Sequence, residues 1–175
     1  GSASNVLPPF PLKEGPLHFS PLPLGEGPGV RAEHPRAALM KESLAALGKH
    51  GDRIGVIVAL DTGHDEPARL AAYLDRFDTG SLAVNLNPAN LVLGGFSPYA
   101  ALRLLSHRIA HVHAQDARRI SPSKLATVSL GHGDIDWMQL LSDFKDVEYR
   151  GYVSVQGDSE AELSRGVAFL RRFAS

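Results

Sequence analysis

The sequence predicts an α/β fold of four strand-and-helix units, on three observations. From Pro35 onward, segments with helical spacing alternate with short strand-like runs; the first of those runs, Arg53 to Leu60, is near-continuously β-branched and apolar; and polar residues gather after each of them. Strands joined through helices pair in parallel, and a parallel sheet covered on both faces selects continuous apolar runs. Arg36 to His50 places Ala and Leu at helical spacing and stops before Gly51, a natural helix end. Arg53-Ile54-Gly55-Val56-Ile57-Val58-Ala59-Leu60 reads as the first strand, followed by Asp61-Thr62-Gly63-His64. Glu66 to Phe77 returns to helical periodicity. Ser81-Leu82-Ala83-Val84-Asn85-Leu86 is the second strand, closed by Asn87-Pro88. Ser97-Pro98 opens a helix through Leu105, with Pro in its first turn. Arg108-Ile109-Ala110-His111-Val112-His113 is the third strand. Asp134 or Asp136 caps a helix from Trp137 to about Phe144, Gly151-Tyr152-Val153-Ser154-Val155 is the fourth strand, and the last helix runs from about Ser159 to Phe173.

The predicted order is therefore αβαβαβαβα, with five helices and right-handed crossovers. An eightfold barrel takes about 250 residues, about 31 per unit, so residues 35–175 hold four units and not eight. Residues 1–34 differ in composition. Eight of the 12 prolines and five of the 17 glycines lie in the first 35 residues, and such a stretch sustains neither a helix nor a central strand. It reads as a disordered leader or, given Leu7, Phe10, Leu12, Leu17 and Phe19, as an arm laid over apolar surface of the main body or of a second chain.

Charge and cysteine usage narrow the function classes. With 18 Lys+Arg against 19 Asp+Glu the formal net charge is −1, which provides no positive field for nucleic acid. The absence of cysteine excludes disulfides, thiolate catalysis and sulfur-ligated zinc. No apolar run approaches the roughly 20 residues of a membrane span, so the expectation is a soluble, cytoplasmic protein without membrane partners. No phosphate loop, dinucleotide fingerprint or Gly-x-Ser-x-Gly elbow is present.

In parallel α/β folds, ligands meet the carboxyl ends of the strands. Here those positions carry Asp61, Asn87 with Asn90, His113 with Asp116, and Gln156 with Asp158. Taken singly, Asp61, Asn87 and Asp158 are ordinary turn formers or helix caps. His113 follows His111 by two, so both imidazoles share one strand face.

Four segments in this order and spacing carry a family resemblance: Val84-Asn85-Leu86-Asn87-Pro88-Ala89-Asn90-Leu91, Arg108-Ile109-Ala110-His111-Val112-His113-Ala114-Gln115-Asp116, Leu130-Gly131-His132-Gly133-Asp134-Ile135-Asp136-Trp137, and Gly151-Tyr152-Val153-Ser154-Val155. Over about residues 36 to 173 the chain resembles the carboxyl-terminal half of the sugar isomerase/epimerase superfamily, the xylose-isomerase-like TIM barrels that include endonuclease-IV-like enzymes. The resemblance implies half of a (β/α)8 barrel and a divalent ion, manganese, magnesium or zinc, held at four strand ends by Glu, Asp, His and Glu. Asp61, Asn87, His113 and Gln156 occupy those four positions, and only the histidine is unchanged. Asp61 and Gln156 likewise stand where the family has its two catalytic bases. Asn90 matches a His or Asn three residues after the family's Asp. Arg119, with Arg118 as the alternative, matches a substrate-binding Arg, and Asp116 is a further candidate for binding substrate. Gly131-His132-Gly133 departs from the family's common Gly-Glu-Gly.

These departures predict weak metal binding or none. Three carboxylates would supply −3 to a hard cation, whereas Asp61 alone supplies −1. An amide at Gln156 cannot accept a proton from a substrate carbon, and Asp61 is one methylene shorter than Glu. The leading expectation is thus a sugar isomerase/epimerase-like protein with impaired catalysis. Its alternatives are an active isomerase, epimerase or lyase on a small polyhydroxylated substrate, and a non-catalytic sugar-binding or assembly module. Half a barrel also leaves two sheet edges and an apolar inner face open, which predicts a homodimer closing the barrel.

Overall fold

The computed structural model describes residues 35–63, 65–121 and 124–173, so the expectations for residues 1–34 and for His64 lie outside the described residues. Helix α1 (Pro35–Ile54) begins on a proline, whose fixed φ and missing N–H suit a first helical position. It does not stop at Gly51. A Cβ there would lie 2.4 Å from the Val56 carbonyl oxygen and 2.7 Å from Ser81 Cβ, so this glycine lets the helix press on the start of the sheet. The stop is Gly55, whose φ of +72° is the left-handed conformation that glycine adopts without strain.

Strand β1 (Val58–Asp61) is shorter than the apolar run that predicts it, because Arg53 and Ile54 belong to α1. Helix α2 (Pro67–Leu74) leads to β2 (Leu82–Leu86), buried at every residue. The Asn87-Pro88 step, expected only to close β2, starts a helix, α3 (Pro88–Leu93); the Asn87 side chain caps it by accepting from the Asn90 N–H. Helix α4 (Pro98–Leu105) is capped by Ser97, and a 3-10 turn (Ser106–Arg108) leads into β3 (Ile109–Ala114). Two further strands, β4 (Asp116–Ser121) and β5 (Lys124–Val128), form an antiparallel hairpin that the sequence reading did not anticipate. Helix α5 (Trp137–Asp146) is capped by Asp136, β6 is Tyr152–Val155, and α6 (Glu160–Arg171) is capped by Ser159. The described residues thus hold six α-helices rather than five, the extra one being α3.

The main sheet has the order β1-β2-β3-β6, all parallel. One face packs on the helices, and the core sits there: Val84, Leu86 and Val112 against Leu91, Leu102, Leu105, Leu140 and Trp137. The opposite face corresponds to the inside of a barrel and is not the apolar surface expected. It carries Asp61, Asn85, His111, His113 and Ser154, and Tyr152 is 84% exposed. Beside the exposed Tyr152 and Ala59, that face is occupied by polar side chains bonded to one another.

Candidate functional site

Alternate residues of neighbouring strands share a face. Register sets Asp61 beside Asn85 and Asn85 beside His111, and it sets His113 beside Ser154. Asn85 is the hub, 5% exposed. Its Nδ2 donates to Asp61 Oδ1 and lies 2.7 Å from His113 Nδ1, while its Oδ1 lies 2.8 Å from His111 Nδ1. His111 Nε2 continues the chain to Ser154 Oγ at 2.8 Å. Because the Asn85 Nδ2 donates and its Oδ1 accepts, His113 is an acceptor at Nδ1 and His111 a donor at Nδ1, with His111 Nε2 paired to the Ser154 hydroxyl. Burial, and then the neighbouring His113, hold the His111 pKa below its usual value; Asp61 pulls it back up. The two rings meet edge to face at 4.8 Å, and Asp61 Oδ1 is 3.6 Å from His113 Nδ1.

Of the four strand-end positions, Asp61 and His113 come together in this network, and the other two stand apart from it. Asn87 is 2% exposed and belongs to the backbone of its own loop. Its Oδ1 caps α3 through the Asn90 N–H at 3.1 Å, its Nδ2 lies 3.4 Å from Gln115 Oε1, and its main-chain N–H donates to Thr62 Oγ1 at 2.8 Å. Asn90 Nδ2 donates to the Thr62 carbonyl at 3.2 Å. Gln156 is exposed and lines an open cleft with Gln115, Ser129, Asp158 and Glu162. In that cleft Glu162 accepts from the Ser129 hydroxyl at 3.0 Å and from the Asp158 N–H at 2.8 Å, and these donors, the amide first, lower its pKa. Gln115 touches both Asn87 and this cleft, so it joins the two halves of the strand-end surface.

The other candidates divide between fold and surface. Asp116 is fully buried, and both its oxygens are taken by main-chain donors: Oδ1 by Ala117 (2.9 Å) and Ile135 (3.3 Å), Oδ2 by Gly131 and Gly133 (3.1 Å each). It therefore shapes the loop before α5 and presents no oxygen to a substrate. Burial pushes its carboxyl above the usual carboxylate range, against the pull of the four amides. Gly131-His132-Gly133 is explained by the same carboxylate. A Cβ on Gly133 would lie 2.0 Å from Asp116 Oδ1, and Gly131 has φ +82°, whereas His132 between them is exposed. Arg119 sits exposed on β4 with its main-chain N–H donating to Asp134 Oδ2 at 2.7 Å.

Sequence reasoning missed Asn85, Ser154 and Gln115. A signal for Asn85 was there: one amide inside a wholly apolar strand, two residues before Asn87 and so on the same side of β2. The donor set does not fit a hard divalent cation. Asp61 is the sole carboxylate among the four positions, one of its oxygens is engaged by Asn85, and the Asn87 carbonyl oxygen is committed to a helix cap. Among the described residues no three His, Asp or Glu side chains group in a way that could hold a metal ion.

Comparison with known proteins places the fold. A family model described as xylose isomerase-like TIM barrel matches residues 17–173. Among solved structures, a xylose isomerase domain protein from Planctomyces limnophilus superposes with TM-score 0.72 at 23% identity, covering 82% of this chain and 54% of that one. A xylose isomerase-like TIM barrel protein from Mycobacterium smegmatis in complex with magnesium gives 0.67 at 17% identity (81% and 51%), and a D-tagatose 3-epimerase-like protein 0.66 at 17% (76% and 52%). The chain spans about half the length of these structures. No curated protein matches it.

Proposed function

Because the chain belongs to the xylose isomerase-like TIM barrel family, of whose barrel it forms a part, we propose that it is a sugar isomerase/epimerase-like protein in which metal-dependent chemistry has been lost. The observation that carries this reading is the charge of the strand-end groups. Asp61, Asn87, His113 and Gln156 hold one carboxylate, one imidazole and two amides. Coulomb attraction to a dication scales with the charge around it, and a carbonyl dipole replaces only a fraction of a carboxylate's field. Proton abstraction from a sugar carbon needs a base on each face when configuration is inverted, and Gln156 supplies none. What remains is suited to binding: His113, Gln115, Gln156 and Ser154 present hydrogen-bond donors and acceptors that match the hydroxyls of a small polyhydroxylated ligand.

Manganese titration calorimetry on protein without a histidine tag tests the reading. The parent chain should bind more weakly than about 100 μM, and the triple variant Asp61→Glu, Asn87→Asp, Gln156→Glu should bind at least about tenfold more tightly. Asp is as good a helix cap as Asn, so Asn87→Asp preserves the start of α3. Stoichiometric manganese, magnesium or zinc retained by the parent through dialysis would overturn the proposal.

A further inference from the structure

A serine hydroxyl is a weak nucleophile until a neighbouring base takes its proton and a third group holds that base in place. Three adjacent strands supply such a set on one face of the sheet. Ser154 on β6 is exposed, its Oγ lies 2.8 Å from His111 Nε2 on β3, and His111 Nδ1 lies 2.8 Å from Oδ1 of the buried Asn85 on β2. An amide oxygen only accepts, so the His111 proton sits on Nδ1, and in the neutral ring the Nε2 lone pair is turned to the Ser154 hydroxyl. Asp61 accepts from the nitrogen of the same amide, so one hydrogen-bonded chain runs from a carboxylate to the serine. The amide sets the second imidazole the opposite way. Asn85 Nδ2 donates to His113 Nδ1, which leaves the proton of a neutral His113 on Nε2, and register places His113 directly beside Ser154. The face therefore carries a hydroxyl, a base turned to it and an N–H donor next to it, which are the groups that acyl transfer uses. Such sets recur on unrelated folds and are recognised by geometry, so no Gly-x-Ser-x-Gly elbow is required.

We propose that Ser154 is the nucleophile, His111 its general base and Asn85 the positioning residue of a site that transfers the acyl group of a carboxylic ester to water. Ser154 Oγ bonds to the carbonyl carbon as its proton passes to His111 Nε2, and the His113 Nε2 proton is donated to the oxyanion that forms. The carbon–oxygen bond to the alcohol then breaks, and the alcohol leaves with the proton held by His111. Water attacks the acyl-serine with His111 again as base, which releases the carboxylic acid and restores the hydroxyl. The chemistry needs neither a metal ion nor a sugar ligand, so it stands or falls separately from the reading of the strand-end charges.

The experiment treats the full chain with an alkyl fluorophosphonate at about pH 8, where an ordinary imidazole is neutral, and locates the adduct by mass spectrometry. The phosphonyl group should appear on Ser154 within the tryptic peptide Gly151–Arg165, in the folded chain and not in urea. Ser154 is exposed, so Ser154→Ala should keep the fold, seen by circular dichroism, and lose both the label and the hydrolysis of p-nitrophenyl acetate. Ser164→Ala, on α6 in the same peptide, should label as the parent does. His111→Gln should label on the order of 100-fold more slowly. Asn85→Leu keeps an apolar side chain in a buried strand and should slow labelling about tenfold or more without lowering the urea midpoint, whereas Asn85→Asp keeps the acceptor for His111 Nδ1 and should label faster than Asn85→Leu. A folded parent that takes no label on Ser154, equal labelling in urea, or His111→Gln or Asn85→Leu labelling at the parent rate would each overturn the assignment.

Discussion

Asp61 and Asp116 both stand at or just beyond the carboxyl end of a parallel strand, yet their surroundings are opposite. Asp116 is fully buried and receives four main-chain N–H groups from two segments of chain. The Asp61 side chain is 48% exposed and is held by the side chains of Asn85 and His113. A carboxylate tied to main chain is part of the fold, because removing it orphans those donors, two of which, the N–H groups of Ala117 and Ile135, are buried. One tied to side chains in contact with solvent can change its partner, which is what a ligand requires. Polar residues at strand ends are thus sorted by burial and by the kind of donor that meets them, and not by position along the chain.

The largest effect follows from removing the buried member. Asp116→Ala leaves up to four amides without an acceptor and should cost roughly 4 kcal/mol of unfolding free energy, measured by urea denaturation. Asp116→Asn keeps one acceptor oxygen and should cost about half as much. A loss below about 1 kcal/mol for Asp116→Ala would erase the distinction drawn between the two aspartates.

A smaller effect sharpens it. Gly133→Ala drives a methyl group toward Asp116 Oδ1 and the Ala117 carbonyl oxygen, 2.0 and 2.6 Å from the added Cβ, and should cost about 2 kcal/mol. The clash depends on the carboxylate, so in the Asp116→Ala background the same substitution should cost measurably less. Additive losses would mean that the glycine answers to the Ala117 carbonyl alone.

The sequence made the four parallel strands legible because each is a short run rich in β-branched and apolar residues between two helical segments, and the helices legible because of their spacing and their caps at Ser97, Asp136 and Ser159. The hairpin β4–β5 was not legible. Arg118, Arg119 and Lys124 are charged and exposed, and the strands are held by one another's main chain rather than by an apolar pattern. Helix α3 escaped because Asn87-Pro88 serves equally well as a turn or as a cap followed by a first-turn proline. At the site, His111 and His113 on one face followed directly from period two. Asp116 did not, since the donors that claim it come from residues 131, 133 and 135, brought near only by the fold.

The smallest effect belongs to the exposed member. Asp61→Ala should change stability by no more than about 0.5 kcal/mol near neutral pH, because the contact it breaks is half in water. Its signature lies in titration instead. His111 has a folded pKa below its usual 6.5, so between that folded value and 6.5 the folded chain binds fewer protons than the unfolded one. The resulting stability is complete above pH 6.5 and is lost as pH falls through the folded pKa. Asp61 is the one influence on His111 that raises its pKa, against burial and His113. Removing it should lower the His111 midpoint in an NMR titration and extend the acid loss of stability to lower pH. A midpoint that rises in Asp61→Ala, or a stability loss matching that of Asp116→Ala, would place Asp61 with the fold rather than with the replaceable groups of the barrel mouth.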